Sequence, residues 1–228
     1  MTRHQLKEQD EITTSLQRFT EFLYNRQKEI IAGACVLVVL AGAYFGWTYY
    51  ASARDASAQM QLSTVITAYN DVAKPPKERY ERAMAEAQKT YDAYSSHPVG
   101  AFAKYYLAMS QEGLGDTAKA VESLQDVIRQ GGRDIQGIAR FSLGGIYQKH
   151  GEIQKAIDTF KQLYDTGGYS KAAVGYELAT LYEANNQGDQ AKELYQKVIS
   201  EFPDSPFRQE ADEALKRLGV TAPPPKPS

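Results

Sequence analysis

An uninterrupted apolar stretch near the amino terminus is the strongest pattern in the sequence. Residues 30–53 contain no charged side chain, although the chain as a whole has 26 basic and 28 acidic residues among its 228. A helix of this length exceeds the roughly 30 Å hydrocarbon core of a bilayer. Its second half is rich in aromatic residues, with three tyrosines, one phenylalanine and one tryptophan, which is typical of side chains at the level of lipid headgroups. The pattern predicts a single transmembrane helix over 30–53.

The charges that flank this stretch predict its direction. Arg18, Arg26 and Lys28 precede it, whereas Arg54 alone lies close behind it. Basic residues are retained on the cytoplasmic side of a membrane. We therefore expect the amino terminus in the cytoplasm and the chain beyond Arg54 in the periplasm, held by a bacterial inner membrane.

A cleavable signal peptide is the alternative, because the small residues at 51–53 and 56–58 resemble processing sites. The apolar stretch is longer than the usual core of a signal peptide, it ends in bulky aromatic residues, and the polar residues 1–29 precede it. These features favour retention of the anchor.

Two weaker patterns lie in and before the predicted span. Apolar residues recur at helical spacing within residues 1–29, which predicts a cytosolic amphipathic segment that lies on the membrane or docks a cytosolic protein. Gly42 and Gly46 form a pair of small residues at the spacing that lets membrane helices approach closely, so a homo-oligomer is a further possibility.

Three similar segments follow one another in the second half of the chain. They begin at Ala101, Gly137 and Ala172, so the starts lie 36 and 35 residues apart. Self-similarity at this period is typical of a helical solenoid, in which each repeat is a pair of antiparallel helices.

The matching positions within the repeats have physical reasons. A leucine recurs at the seventh place, a small residue follows it, and an alanine lies thirteen places after the leucine. A glycine marks the turn between the helices in the first two repeats, and the third repeat departs from the pattern with an asparagine there. Small residues let paired helices pack closely, and glycine can adopt the left-handed conformation of a helix end. These positions are Leu107, Leu143 and Leu178; Ala108, Gly144 and Ala179; Ala120, Ala156 and Ala191; and Gly115, Gly151 and Asn186.

Both flanks of the repeats have helical patterns. Residues 54–100 contain two apolar helical patterns separated by a Pro-Pro pair, which predicts a degenerate helix pair. Residues 205–218 predict a closing helix in which Ser205 is the N-cap and Pro206 the first helical residue. The proline-rich residues 219–228 predict a disordered tail.

The repeat pattern resembles the tetratricopeptide repeat, whose unit is a helix-turn-helix of 34 residues. The expected fold is therefore all-α: one transmembrane helix, then a tetratricopeptide-repeat α-solenoid over 101–218 with about three recognisable repeats, a degenerate pair before them and a capping helix after them. In that family, the first helix of each repeat lines a concave groove that binds protein segments. The residues that this resemblance places in the groove are Phe102, Tyr105, Met109, Glu112, Ile138, Phe141, Gln148, Lys149, Tyr176 and Glu183.

Composition and charge limit the chemistry. A formal net charge of −2 gives no excess of positive charge for nucleic acid, and one cysteine excludes an intrachain disulfide. The three histidines lie far apart, and no sequence motif for a nucleophile, a phosphate-binding loop or a metal site occurs. We therefore expect no enzyme activity, no cofactor and no metal.

The order of a short cytosolic segment, one anchor and an exported repeat domain is similar to the ancillary subunit of the bacterial Sec translocon. This resemblance implies a chaperone-like adaptor whose partners are translocon components, exported polypeptides or periplasmic chaperones. The repeats also resemble those of cell-division coordinator proteins. The alternative is therefore an oligomeric envelope scaffold that organises cell-wall, division or outer-membrane assembly machinery.

Overall fold

A computed structural model describes Tyr24 and residues 26–221. Most of the predicted amphipathic segment and the tail after residue 221 lie outside these residues. The described residues form α-helices and contain no β-strand. The helices are α1 (Gln27–Asn70), α2 (Pro76–Tyr94), α3 (Pro98–Gly113), α4 (Thr117–Gln130), α5 (Arg133–Lys149), α6 (Ile153–Thr166), α7 (Lys171–Ala184), α8 (Gly188–Glu201) and α9 (Arg208–Arg217). The chain divides into two units, Met1–Ala56 and Ser57–Ser228.

The first unit contains the apolar part of α1. Its large side chains remain uncovered by the described part of the protein: Leu37 is 68% exposed and Trp47 is 72% exposed. A core helix of a soluble protein would bury such side chains. By length and composition, α1 is a candidate to cross a membrane.

The second unit begins with a helix pair formed by residues 57–70 of α1 and by α2. Ala58, Leu62 and Val65 are buried at helical spacing on α1. Leu62 belongs to a cluster with Tyr94 and Val99, and Val65 to a cluster with Ala87 and Leu107. The apolar stripe of α1 therefore packs against α2 and α3, which confirms the predicted degenerate pair.

Helices α3 to α8 form three further pairs around one continuous core. The predicted leucines and alanines of the repeats are all buried: Leu107, Leu143 and Leu178; Ala108 and Ala179; and Ala120, Ala156 and Ala191. Gly144 shows why a small residue is needed beside the leucine, since a Cβ atom there would lie 2.7 Å from the Phe160 ring. The sequence pattern of the paired helices is thus confirmed.

The turns within the three pairs use the left-handed backbone conformation. Gly115 has φ +87° and Gly151 has φ +74°. Asn186 occupies the same place in the third pair with φ +58°, the one non-glycine residue with positive φ in the described part of the chain. Asparagine tolerates this conformation better than most other residues, which explains why the third repeat keeps its turn without a glycine.

The closing helix covers the end of the core but starts later than predicted. Helix α9 begins at Arg208, and the Ser205 hydroxyl accepts a hydrogen bond of 3.2 Å from the backbone N–H of Phe207. Ser205 therefore caps a turn before α9 and is not its N-cap, which corrects the prediction. Ala211, Ala214 and Leu215 are fully buried, as expected of a capping helix.

The backbone of helix α5 at Gly137 lies very close to the backbone of the loop after α6 at Gly168. A Cβ atom at Gly137 would lie 1.7 Å from the carbonyl oxygen of Gly168, which itself has φ +96°. Two backbones cannot separate without moving the repeat, so we expect Gly137→Ala to lower the free energy of unfolding by about 1 to 3 kcal/mol.

Gly145 in the same helix is the matched control, because nothing lies within 4 Å of its Cβ position. Replacing an unhindered helical glycine by alanine stabilises a helix by about 0.5 to 1 kcal/mol. Chemical denaturation followed by circular dichroism should therefore give opposite signs for the two variants. Equal effects of the two changes would contradict the packing described here.

Candidate protein-binding groove

The first helices of neighbouring repeats lie side by side and run in the same direction. The Tyr105 hydroxyl on α3 lies 3.1 Å from the Ser142 hydroxyl on α5. Nearer the carboxyl ends of the same helices, Lys149 Nζ donates to the Glu112 carboxylate at 2.7 Å. Both contacts join residues 37 positions apart, so the two helices are parallel and in constant register. All ten predicted groove residues lie on α3, α5 and α7.

The predicted groove residues differ in how far they reach the surface. Glu112 is buried, and Lys149 is exposed. The other eight are half-buried: Phe102, Tyr105, Met109, Ile138, Phe141, Gln148, Tyr176 and Glu183. Phe102, Ile138 and Phe141 pack against the main core with part of each side chain accessible. These side chains therefore support the fold and present apolar surface at the same time.

Two aromatic stacks join the third repeat to its neighbours. The Phe141 ring stacks on Tyr169 with the ring centres 4.3 Å apart. The Tyr176 ring stacks on Phe207 with the ring centres 5.5 Å apart. Phe207 was expected on the apolar face of the closing helix, but neither Tyr169 nor Phe207 was predicted as a site residue. Each directly follows a glycine or proline between a second helix and the helix after it. That placement is a signal the sequence offered.

A cluster of tyrosines continues the face of α3 toward the degenerate pair. The Tyr69 ring lies 5.7 Å from Tyr80 and 5.3 Å from Tyr106, and Tyr106 lies 5.4 Å from Tyr105. Burial raises the pKa of Tyr69, Tyr105 and Tyr106, so these phenols stay neutral. Only Tyr105 was predicted, because the irregular degenerate pair carries no repeat pattern that would align Tyr69 and Tyr80.

The carboxylate of Glu112 links the ends of α3 and α5. Its side chain is 7% exposed and accepts hydrogen bonds from Lys149 Nζ at 2.7 Å and from the Thr117 hydroxyl at 2.8 Å. His150 Nε2 lies 3.0 Å away. Burial alone would raise the pKa of Glu112, but the hydrogen bonds outweigh burial and hold the pKa below its ordinary value. Glu112 and Lys149 therefore join two repeats.

The two glutamates of helix α7, Glu177 and Glu183, lie in different environments. Glu183 accepts a hydrogen bond of 3.0 Å from the Tyr195 hydroxyl, and Arg217 lies 3.7 Å from its carboxylate. Burial and the Glu183 carboxylate raise the pKa of Tyr195. Glu177, which was not predicted, is half-buried. Burial raises the pKa of Glu177, and the Gln148 amide opposes that rise.

Gly42 and Gly46 on α1 are the predicted positions of close packing between membrane helices. Nothing lies within 4 Å of the Cβ positions of Gly42 and Gly46, so both are open to a neighbouring helix. Among the residues that the structure describes, no group of three or more His, Cys, Asp or Glu side chains could hold a metal ion.

The Glu112 contacts generate a pH-dependent prediction. We expect Glu112→Gln to lower the free energy of unfolding at pH 7 by about 1 to 3 kcal/mol, because the variant loses charge-assisted hydrogen bonds in a buried position. The folded-state pKa lies below the ordinary 4.5. The contribution of Glu112 is therefore present above pH 4.5 and is lost as the pH falls through the folded-state pKa.

Denaturation of the wild type and the variant from pH 7 to pH 3 measures this effect. The difference between them should be largest near neutral pH and should shrink in acid. Glu193→Gln is the control, because Glu193 forms an exposed pair with Lys197 and such pairs contribute less than about 1 kcal/mol. A difference that grew in acid would contradict the assigned role of Glu112.

Comparison with known proteins agrees with this architecture. A solved structure of the tetratricopeptide-like repeats of a Podosopora anserina putative kinesin light chain has a TM-score of 0.55 and 20% identity, covering 71% of this chain and 86% of that chain. A MamA protein, the RS-1 ArsTM double mutant, has a TM-score of 0.53 and 17% identity, covering 71% of this chain and 84% of that chain. At these identities, the likeness shows the fold alone. No curated protein matches the chain.

The family comparison extends over nearly all of the described helices. The family model for the tetratricopeptide repeat-like domain matches residues 22–219, which include the apolar helix, the degenerate pair, the three repeats and the closing helix. A fold of this kind is typically a non-catalytic scaffold for protein interactions. The chain belongs to the tetratricopeptide repeat-like domain family.

Proposed function

We propose that this protein is a membrane-anchored adaptor that binds protein segments in a chaperone-like manner on the periplasmic side of a bacterial inner membrane, at or near the Sec translocon. The family supports a role in protein interaction. Membrane anchoring, the periplasmic side, the translocon and the chaperone-like manner of binding are our proposal.

The exposed apolar face of α1 is the observation that carries the proposal. Each apolar Å² left in water costs about 25 cal/mol, and the large side chains of the span, such as Leu37, Val38 and Trp47, are mostly exposed. The second unit has a buried core of its own. Lipid is the environment that would cover α1, and the basic residues before the span favour a periplasmic repeat domain.

An adaptor that is anchored in a membrane can function with modest affinity for its partners. A tethered module meets other membrane-bound proteins at a raised effective concentration without any additional contact. Half-buried apolar side chains on α3 and α5, among them Phe102, Met109 and Ile138, offer surface to an amphipathic or extended segment. Methionine adapts its shape to different ligands, which suits the varied sequences of exported polypeptides.

Site-specific photocrosslinking in intact cells tests this function. A photoreactive residue in place of Met109, on the groove face of α3, should trap translocon components, exported polypeptides or periplasmic chaperones. The control is the same residue in place of Gln125, which is exposed on the second helix α4. We expect at least a several-fold excess of crosslinked partners from position 109. Equal yields from both positions, or cytosolic partners only, would overturn the proposal.

A second candidate function is an oligomeric scaffold for envelope, division or outer-membrane assembly machinery. The open Cβ positions of Gly42 and Gly46 favour it, because close contact between membrane helices uses such positions. A scaffold of this kind should be a stable oligomer after solubilisation, and Gly46→Leu should dissociate it. Light scattering of the purified wild type and variant measures the mass. A monomeric wild type would leave the adaptor as the function.

A further inference from the structure

Glu177 is a half-buried carboxylate that lies on α7, between the predicted groove residues of the second and third repeats. Its counterpart one repeat earlier is Ser142, whose hydroxyl meets the hydroxyl of Tyr105. The counterpart of Tyr105 in the second repeat is Phe141, which has no hydroxyl. The hydroxyl contact that Ser142 makes between the first and second repeats therefore has no equivalent for Glu177 between the second and third repeats.

The Gln148 amide lowers the pKa of Glu177, and no basic side chain of the described residues forms an ion pair with this carboxylate. An ionised carboxylate can accept about four hydrogen bonds. Burial raises the pKa of Glu177, which means that the fold disfavours the charge at this place. Serine performs the same packing role one repeat earlier, so joining the repeats does not require an acid here.

The charged residues that influence Tyr176 are mostly acidic. Burial raises the pKa of Tyr176, and the charges of Glu177, Glu210 and Glu183 raise it further. Arg217 opposes them, and it lies 3.7 Å from the Glu183 carboxylate. Three carboxylates and one cation therefore act on Tyr176, so negative charge is in excess around this residue.

The aromatic rings beside Glu177 complement a cation. Tyr176 precedes Glu177 on α7, and Phe141 occupies the corresponding place on the neighbouring first helix. Both rings are half-buried, so part of each remains accessible. A cation over an aromatic face is attracted by the negative charge of the ring, and a carboxylate nearby strengthens the attraction.

We propose that the third-repeat end of the groove binds a basic side chain, arginine or lysine, carried by an otherwise apolar segment of the partner, and that Glu177 determines this preference. The proposal rests on the groove-binding function given above and adds the chemistry of the bound segment. The apolar side chains on α3 and α5 would contact the apolar part of the segment, while Glu177 would pair with its charge.

Two matched peptides and one conservative variant test the proposal. The probes are fluorescent twelve-residue peptides of leucine and alanine with one central arginine or, in its place, the neutral and nearly isosteric citrulline. Binding is measured by fluorescence anisotropy to the full chain in nanodiscs of zwitterionic lipid. We expect the wild type to bind the arginine peptide about tenfold more tightly than the citrulline peptide, as one well-placed charge pair allows.

Glu177→Gln keeps the size of the side chain and removes its charge. We expect the preference for arginine to disappear in this variant, while the affinity for the citrulline peptide stays within about twofold of the wild type. Glu122→Gln removes an exposed carboxylate from α4 and should leave the tenfold preference intact. Circular dichroism of both variants confirms that the helices remain formed.

The outcomes separate this inference from the function on which it rests. If the wild type binds both peptides equally, or if Glu177→Gln retains the preference, the role of Glu177 is overturned while groove binding stands. If the wild type binds neither peptide, but photocrosslinking at position 109 still captures partners, the inferred partner chemistry alone is wrong. If both experiments fail, the groove-binding function fails with it.

Discussion

Close approach between paired helices is the constraint on which the rest of this structure depends. The alanines at the helix crossings, Ala120, Ala156 and Ala191, have no exposed surface. At Gly144 even one methyl group would collide with the Phe160 ring. These small residues fix the spacing within each pair. That spacing lets α3 and α5 run parallel at a constant register and present one face.

The face formed by α3, α5 and α7 joins the repeats, and in the proposed function it also binds a partner, so the two roles compete for side chains. Glu112 and Lys149 pair with each other, and Tyr105 meets Ser142, so their polar groups are already used in the free protein. A partner would meet mainly the half-buried apolar side chains and the carboxylate of Glu177. A groove whose polar groups are mostly satisfied within the protein discriminates little between sequences, except where one charge lacks a partner.

The core could be predicted from the sequence because its positions repeat. The leucines and small residues recur in all three repeats, and their burial follows from the helix-pair geometry. The start of α9 was misplaced because Ser205 and Pro206 form a local turn, and such a turn uses the same residue types as a helix start. Tyr169, Phe207 and Glu177 were not predicted as site residues because their contacts lie between repeats. Those contacts depend on the register of neighbouring helices, which a single repeat does not encode.

The two units differ in whether the protein covers their apolar side chains, and the proposed function depends on that difference. In the repeats, each helix pair covers the next, and α9 covers the last, so the core is closed by the protein itself. The large apolar side chains of α1 between residues 31 and 50 have no such cover in the described chain. A membrane that covered α1 would also confine the groove to a thin layer beside it. Within that layer, a weak preference for apolar segments with one basic residue would be sufficient to select partners, because confinement raises the effective concentration of membrane-bound partners.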